Sequence, residues 1–524
     1  MKNFFCILLV PLLAFCACNG FNPITDGEIV DIIGEDTSDM LVLGDQLNNP
    51  YSVKNISSAF KSLYPDIDVN EYVKPTDIYM RFLPEDDTQM KMLEELGLEL
   101  VDHPLDYEIV KEGDYYHDPD VSEDRITWQY STVPLGVNVP EGIKKEWLDV
   151  CVLNLESGTK AGPVDWRAVE AESYRLTGNE AILSHDTKGS DTGVAPEGRI
   201  TIEDPQFSAT PQGVKGVKVS CNTFVKFAST YTDEDGYYKM DKTFSGKPRY
   251  RIVYKNKYGF AQGFNLILSP ASYTSLGACP AAGFNLDVTS SSDRKLFTRC
   301  AVNNAAYDYY KQCKTGDSAM RLPPANLRIW QFRKLRKSSA VMLQQGAMIN
   351  SSKIAEYLGP YTFILKLFLP DITLGLSECR SYADIYATTV HELSHASHYM
   401  VVGNGYWDKY IDYIITSFIS SNMVMYGTGS EENHGYCEVG EMWAYYMQSA
   451  LYNERYPGSN RYFGQNYWFH PQIFPLLAEK CLDKYRIFGA LDTDIVDRKV
   501  LKKRMLSMYP QHKTAINQAF SKYN

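Results

Sequence analysis

The stretch Val390-His391-Glu392-Leu393-Ser394-His395-Ala396 lies inside a run from Tyr382 to Met400 that is bounded by Gly403 and Gly405. Ala387, Val390, Leu393 and Ala396 recur every three or four positions, a spacing that predicts one helix with one apolar face. On a helix, residues four apart are neighbours, with about 5–6 Å between their Cβ atoms. Two imidazoles so placed converge on one Zn²⁺ with bonds of about 2.0–2.1 Å. Glu392, one position along, projects beside the pair and reaches the ion's water rather than the ion. By composition, H-E-x-x-H arises by chance in such a chain with a probability on the order of one in a hundred.

Three protein ligands and a water make a catalytic zinc site, so a third ligand must come from elsewhere. A metzincin would continue with Gly and His at positions that here hold His398 and Val401. The next helical segment, Tyr436-Cys437-Glu438-Val439-Gly440-Glu441-Met442-Trp443-Ala444, offers two carboxylates. Glu441 followed by Ala444 resembles the E-x-x-A pattern of gluzincins, whose small residue lets the second helix lie close to the first. Glu438 is the alternative ligand, or an outer carboxylate that orients an imidazole. With these motifs, residues 285–524 resemble a zincin metallopeptidase domain of the gluzincin type. The resemblance implies that His391, His395 and Glu441 hold Zn²⁺ and that Glu392 is the general base. It also implies that a Tyr or His of Glu431-Glu432-Asn433-His434-Gly435-Tyr436 steadies the oxyanion, which makes Tyr436 and His434 catalytic candidates. His398 reads as a partly exposed helix histidine or a residue of the cleft wall.

Outward from this centre the chain reads as multidomain α+β. Arg294 to Cys313 fits a helix, Leu327 to Arg333 a strand, and Tyr361 to Leu369 the edge strand on which an extended substrate would add by backbone pairing. Residues 198–275 carry short strands at Ile200 to Ile202, Val214 to Val219, Thr223 to Phe227 and Tyr250 to Tyr254. Their turn Asp233-Glu234-Asp235-Gly236-Tyr237 resembles that of the carboxypeptidase regulatory-like, prealbumin-type β-sandwich, which implies a spacer or binding module. Residues 61–185 read as an α/β accessory domain opening with a β-α-β unit. Its parts are a strand at Asp77 to Leu83, a helix at Glu85 to Leu96 capped by Gly97, and a strand at Leu98 to Val101, with further strands at Thr127 to Val133 and Val150 to Leu155.

At the start, Lys2 and the apolar run Phe4 to Ala17 read as a signal peptide over residues 1–18, too short to span a bilayer. Leu13-Ala14-Phe15-Cys16-Ala17-Cys18 resembles a bacterial lipobox, which implies lipidation of Cys18 and a tether over residues 19–60. The expected location is the outer membrane or cell surface of a bacterium. Eight cysteines follow Cys18 without a C-x-x-C pair, so no thiolate metal site is indicated.

Apolar residues make up 44% of the 524-residue chain and charged ones 22%, which excludes wholesale disorder. With 64 acidic against 52 basic residues the net charge is −12, which argues against nucleic acid as a partner. No G-x-S-x-G elbow or phosphate loop appears in a strand-to-helix context. The reading is therefore a zinc peptidase acting on polypeptides or glycoproteins. Its rival is a non-catalytic surface lipoprotein that binds a polypeptide or glycan through a zincin-like fold.

Overall fold

The computed structural model describes residues 40–122, 125–153, 164–183, 195–262, 271–314, 320–334, 336–347, 371–421 and 424–523. The signal peptide, Cys18 and the edge strand expected at Tyr361 to Leu369 lie outside the described residues. The architecture is mixed α+β, with a β/α region first, β-rich sheets in the centre and mainly helices at the end. No helix among the described residues is long and apolar enough to cross a membrane.

The first region contains β1 (Val42–Gln46), α1 (Val53–Leu63), α2 (Val69–Tyr72), β2 (Asp77–Leu83), α3 (Asp87–Glu95), β3 (Tyr107–Lys111), β4 (Gln129–Pro134), β5 (Lys144–Cys151) and α4 (Trp166–Leu176). Chain expected as tether is folded from β1 onward, because Tyr51, Ile56 and Phe60 are fully buried and anchor α1. The β-α-β expectation also changes. Gly97 does end the helix with a left-handed φ of 74°, but the next residues reach the sheet only at Val101, in a single bridge to Tyr130. β2 instead lies between β4 and β5, antiparallel to both.

The centre holds β6 (Glu197–Asp204), β7 (Ser208–Gly213), β8 (Val217–Thr223), β9 (Lys226–Tyr231), β10 (Tyr237–Lys239), β11 (Arg249–Asn256), β12 (Ala261–Gln262), β13 (Tyr273–Ala278) and β14 (Leu286–Val288). β6 pairs with β7, β10 and β14, while β8 pairs with β9 and β11 in a second, larger sheet. Ile200 and Ile202 of the first sheet and Val217, Val219 and Cys221 of the second turn into one apolar core. Asp233 closes the turn between β9 and β10: its Oδ1 accepts from the backbone of Asp235 and Tyr237. Gly236, at φ 77°, leaves no room for a Cβ, which would sit 2.0 Å from the Ile200 carbonyl oxygen. The single strand expected at Thr223 to Phe227 is instead the end of β8, a turn at Phe224 and Val225 with Phe224 at φ 45°, and the start of β9. Its apolar character is explained by burial of Phe224 and Val225 against Tyr51 and Tyr174.

The last region contains α5 (Arg294–Cys313), β15 (Arg328–Phe332), β16 (Ser339–Ala340), β17 (Ile372–Gly375), α6 (Tyr382–Ser420), α7 (His434–Arg455), α8 (Ile473–Lys480), α9 (Lys484–Gly489), α10 (Arg498–Met508) and α11 (Lys513–Ser521). β12 is antiparallel to β11 and parallel to β15, so the larger sheet continues into β15, β17 and finally β16. The composition boundary between residues 275 and 285 thus falls within one hydrogen-bonded ladder and one core. Buried α5 lies beside that sheet, and its Tyr309 hydroxyl donates to Ser397 Oγ of α6.

Candidate metal centre

α6 starts where Ser381 and Asp384 cap it reciprocally, satisfying backbone donors that the first turn leaves free. Val390, Leu393 and Ala396 are fully buried and fix the face of the helix, which turns His391 and His395 toward α7. α7 can approach because Gly440 and Ala444 are small. A Cβ on Gly440 would already touch Tyr410 at 3.5 Å, and Trp443 Nε1 donates to the Ser394 carbonyl. This packing delivers Glu441, 1% exposed, to the two imidazoles.

His391, His395 and Glu441 are the group among the described residues whose donor atoms could hold a metal ion. The two Nε2 atoms are 3.3 Å apart, Glu441 Oε2 is 3.5 Å from His391 Nε2, and Oε1 is 3.4 Å from His395 Nε2. The edge of a tetrahedron around an ion with bonds of about 2.0–2.1 Å is about 3.3–3.4 Å. The two imidazoles are spaced as such an ion requires, and a carboxylate oxygen of Glu441 lies close to that distance from each of them. Their chemistry agrees. Gln448 Oε1, which can only accept, lies 3.2 Å from His391 Nδ1, so the hydrogen sits on Nδ1 and Nε2 turns its lone pair inward. Glu441 Oε2 is buried without a hydrogen-bond partner, a costly state for a carboxylate oxygen unless a cation satisfies it.

The electrostatics point to the same demand for positive charge. Burial pushes the Glu441 carboxyl up, yet the charge of His395 and the close approach of both imidazoles outweigh it and hold the carboxylate far below its usual range. Burial also depresses both histidines. For His391 the close contact with Glu441 and the charges of Glu392 and Glu441 prevail and raise it, whereas His395 stays lowered. Burial, with the charge of Glu441 adding to it, pushes Glu392 up to about 8 despite the opposing effect of His391.

Glu392 and the triad line a cleft of about 430 Å³ that also takes in Ser339, Ala340, Tyr426 and Phe463. Tyr436 and His434 are not among its lining residues. Tyr436 accepts from Lys409 Nζ at 3.1 Å, and His434 Nδ1 lies 2.9 Å from the Glu431 carbonyl. Helical geometry explains both. Tyr436 is five residues from Glu441, about 140° around the axis, and His434 is about 10.5 Å along it. Glu438 faces away as well: its carboxylate accepts from the Arg498 backbone at 2.8 Å and pairs with the guanidinium, holding the start of α10. The outer partner of His391 is Gln448, two turns past Glu441 on the same face. His398 is fully buried against Tyr406 and Trp407, neither exposed nor a wall of the cleft, and burial followed by the charge of His395 lowers it to about 3.

The helix expected to stop before Gly403 breaks there, at φ 69° and ψ −178°, and then resumes to Ser420. Its second limb turns back, so that Tyr406 meets the His398 ring at 5.4 Å and Tyr410 meets the His395 ring at 5.7 Å. Tyr410 and Tyr445, whose ring lies 4.5 Å from His391, are site residues that motif reading passed over. The spacing of Tyr406, Trp407, Tyr410 and Tyr413 was the available signal, an aromatic stripe at helical period. In comparisons with known proteins, the chain matches no family model, no curated protein and no solved structure.

Proposed function

We propose that this chain is a zinc-dependent metallopeptidase that hydrolyses peptide bonds of polypeptides, glycoproteins included, outside the cytoplasm. The observation that carries the reading is the buried His391, His395 and Glu441 triad with a second carboxylate, Glu392, facing the same cleft. Zinc is the ion of choice for two imidazoles and one carboxylate at tetrahedral spacing. When bound, it supplies a Lewis acid that polarises the scissile carbonyl and makes water a better nucleophile.

The remaining work belongs to the chain. Glu392 receives the proton of the attacking water on its carboxylate and returns it to the leaving amine, a role suited to a carboxylate that lines the cleft beside the triad. Gln448 and Tyr410 hold ligands in place through His391 Nδ1 and Glu441 Oε1. β16, the terminal strand of its sheet among the described residues, brings Ser339 and Ala340 to the cleft, where an extended peptide could pair with the backbone. The lipobox-like Cys18 would anchor the protein to a bacterial membrane and set its substrates among exported polypeptides.

The test is to treat a peptide and glycoprotein library with the zinc-loaded mature protein and identify the products. New termini that appear with wild type and not with Glu392→Gln support the proposal. A protein that binds zinc and a glycan or polypeptide but cleaves nothing would be the binding lipoprotein instead.

A further inference from the structure

Glu441 has two oxygens and they are treated differently. Oε1 accepts a 2.6 Å hydrogen bond from the Tyr410 hydroxyl, while Oε2 has no hydrogen-bond partner. Tyr410 is 6% exposed and lies on the second limb of α6, fifteen residues after His395 in sequence. Only the break at Gly403 brings it back over the site. The limb is pinned where it returns: Trp407 Nε1 donates to the Ala340 carbonyl of β16, and the Trp407 ring lies 4.7 Å from that of Tyr410. The tyrosine is therefore held, not swung in from solvent.

We propose that Tyr410 is a positioning residue for the metal ligand Glu441: by occupying Oε1 it keeps the carboxylate turned so that Oε2 alone serves the ion. The inference rests on the metal-site reading above and deepens it. A short hydrogen bond from a neutral hydroxyl to a carboxylate is among the stronger ones available. It draws electron density from Oε1, which disfavours a chelate through both oxygens and leaves the open coordination position that a hydrolytic site needs. Outer partners of this kind typically contribute 10–100-fold to metal affinity or activity. Tyr413, one turn later on the same limb, provides the internal control. It is buried as well, and its hydroxyl lies 2.8 Å from the Tyr426 carbonyl and 3.1 Å from Glu431 Oε2, neither of which belongs to the triad.

The experiment uses the full mature chain, stripped with a chelator and titrated with Zn²⁺ and separately with Co²⁺, whose visible absorption reports coordination number. Tyr410→Phe should bind Zn²⁺ about 10–100-fold more weakly. Its Co²⁺ complex should show the weaker, shifted absorption of a site with an added oxygen ligand. Tyr413→Phe should match wild type in both readouts, which separates ligand positioning from general loosening of the limb. Tyr410→Phe with wild-type affinity and spectrum, or an equal loss in Tyr413→Phe, overturns the inference while leaving the metal site standing. Wild-type protein that binds neither ion overturns the metal site and this inference together.

Discussion

Two buried glutamates, Glu441 in the helical region and Glu170 of α4 near the amino-terminal end, show how differently one side chain can be used. Both are nearly inaccessible to solvent, at 1% and 4% exposure. Burial pushes both carboxyls up and, in each, partners reverse the effect and lower them. Glu170 is saturated: Oε1 accepts from the Tyr51 hydroxyl at 2.6 Å and from Lys226 Nζ at 3.1 Å, and Oε2 accepts from Ser245. Glu441 keeps one oxygen without a donor, and its carboxylate sits against two imidazole nitrogens, Oε2 nearest His391 and Oε1 nearest His395. A saturated buried charge holds the fold, because its partners lock separate segments together. An unsaturated one is tolerated where something else is meant to complete it.

That contrast is testable, and the largest effect should come at the candidate metal centre. Glu392→Gln should lower hydrolysis by about 10²–10⁴-fold while zinc content and melting temperature stay at wild-type values. The amide keeps the shape of the carboxyl and loses only its capacity to take a proton. A variant that retains full activity on a confirmed substrate would remove Glu392 from the reaction. A variant that unfolds would mean that the cleft is built like the Glu170 cluster after all.

At the Glu170 cluster, the effect should be on stability alone. Lys226→Met leaves the carboxylate of Glu170 buried without its counter-charge, a change that typically costs about 3–5 kcal/mol. Urea unfolding should show that loss with zinc binding unchanged. A stability equal to wild type would show that Tyr51 and Ser245 suffice without the ammonium group.

Tyr51→Phe is the milder cut through the same network. It removes the hydroxyl that donates to Glu170 and leaves Lys226 and Ser245 in place, so the expected loss is about 1.5–3 kcal/mol, the range for hydrogen bonds to charged groups. The ring keeps its edge-on contact with Tyr174, at 5.8 Å, so a larger loss would mean that the tyrosines move.

The two clusters also differ in how far they could be read from sequence. His391, Glu392 and His395 were legible because metal ligation demands particular residue types at a fixed helical spacing. Glu441 was legible through Ala444, the small residue that helix contact requires. The face of α7 was harder. Glu438 and Tyr436 lie a few residues away, and only the packing of α10 and of Tyr406 shows that they turn elsewhere. Gly403 and Gly405 read as a stop, because a left-handed break and a helix end have the same local signal. The break made Tyr410 invisible as a site residue. The Glu170 cluster had no signature at all, since Tyr51, Glu170, Lys226 and Ser245 meet through tertiary contact between segments far apart in sequence. The antiparallel placement of β2 between β4 and β5 escaped for the same reason. Period-two alternation identifies a strand and says nothing of its neighbours.

The smallest effect expected is the pH dependence that Glu170 confers. Its folded-state carboxyl lies below the ordinary value of about 4.3, because Lys226, Ser245 and Tyr51 together outweigh the cost of burial. A lowered carboxyl contributes stability that is fully present above the unfolded-state value and is lost as pH falls from there through the folded-state value. Over that acidic window the unfolded chain binds the proton first, and the slope contributed by one carboxyl cannot exceed about 1.4 kcal/mol per pH unit. Above about pH 5 the contribution should be constant. The measurement compares urea unfolding of wild type and of Glu170→Gln with Lys226→Met between about pH 3 and 6, with zinc removed from both so that the metal centre does not titrate with its ion. Wild type should lose stability more steeply than the double variant below about pH 4.3, and the two curves should run parallel above it. Parallel curves throughout would show that the Glu170 carboxyl is no more acidic in the fold than in the unfolded chain, and that this saturated cluster acts through its packing and not through its charge.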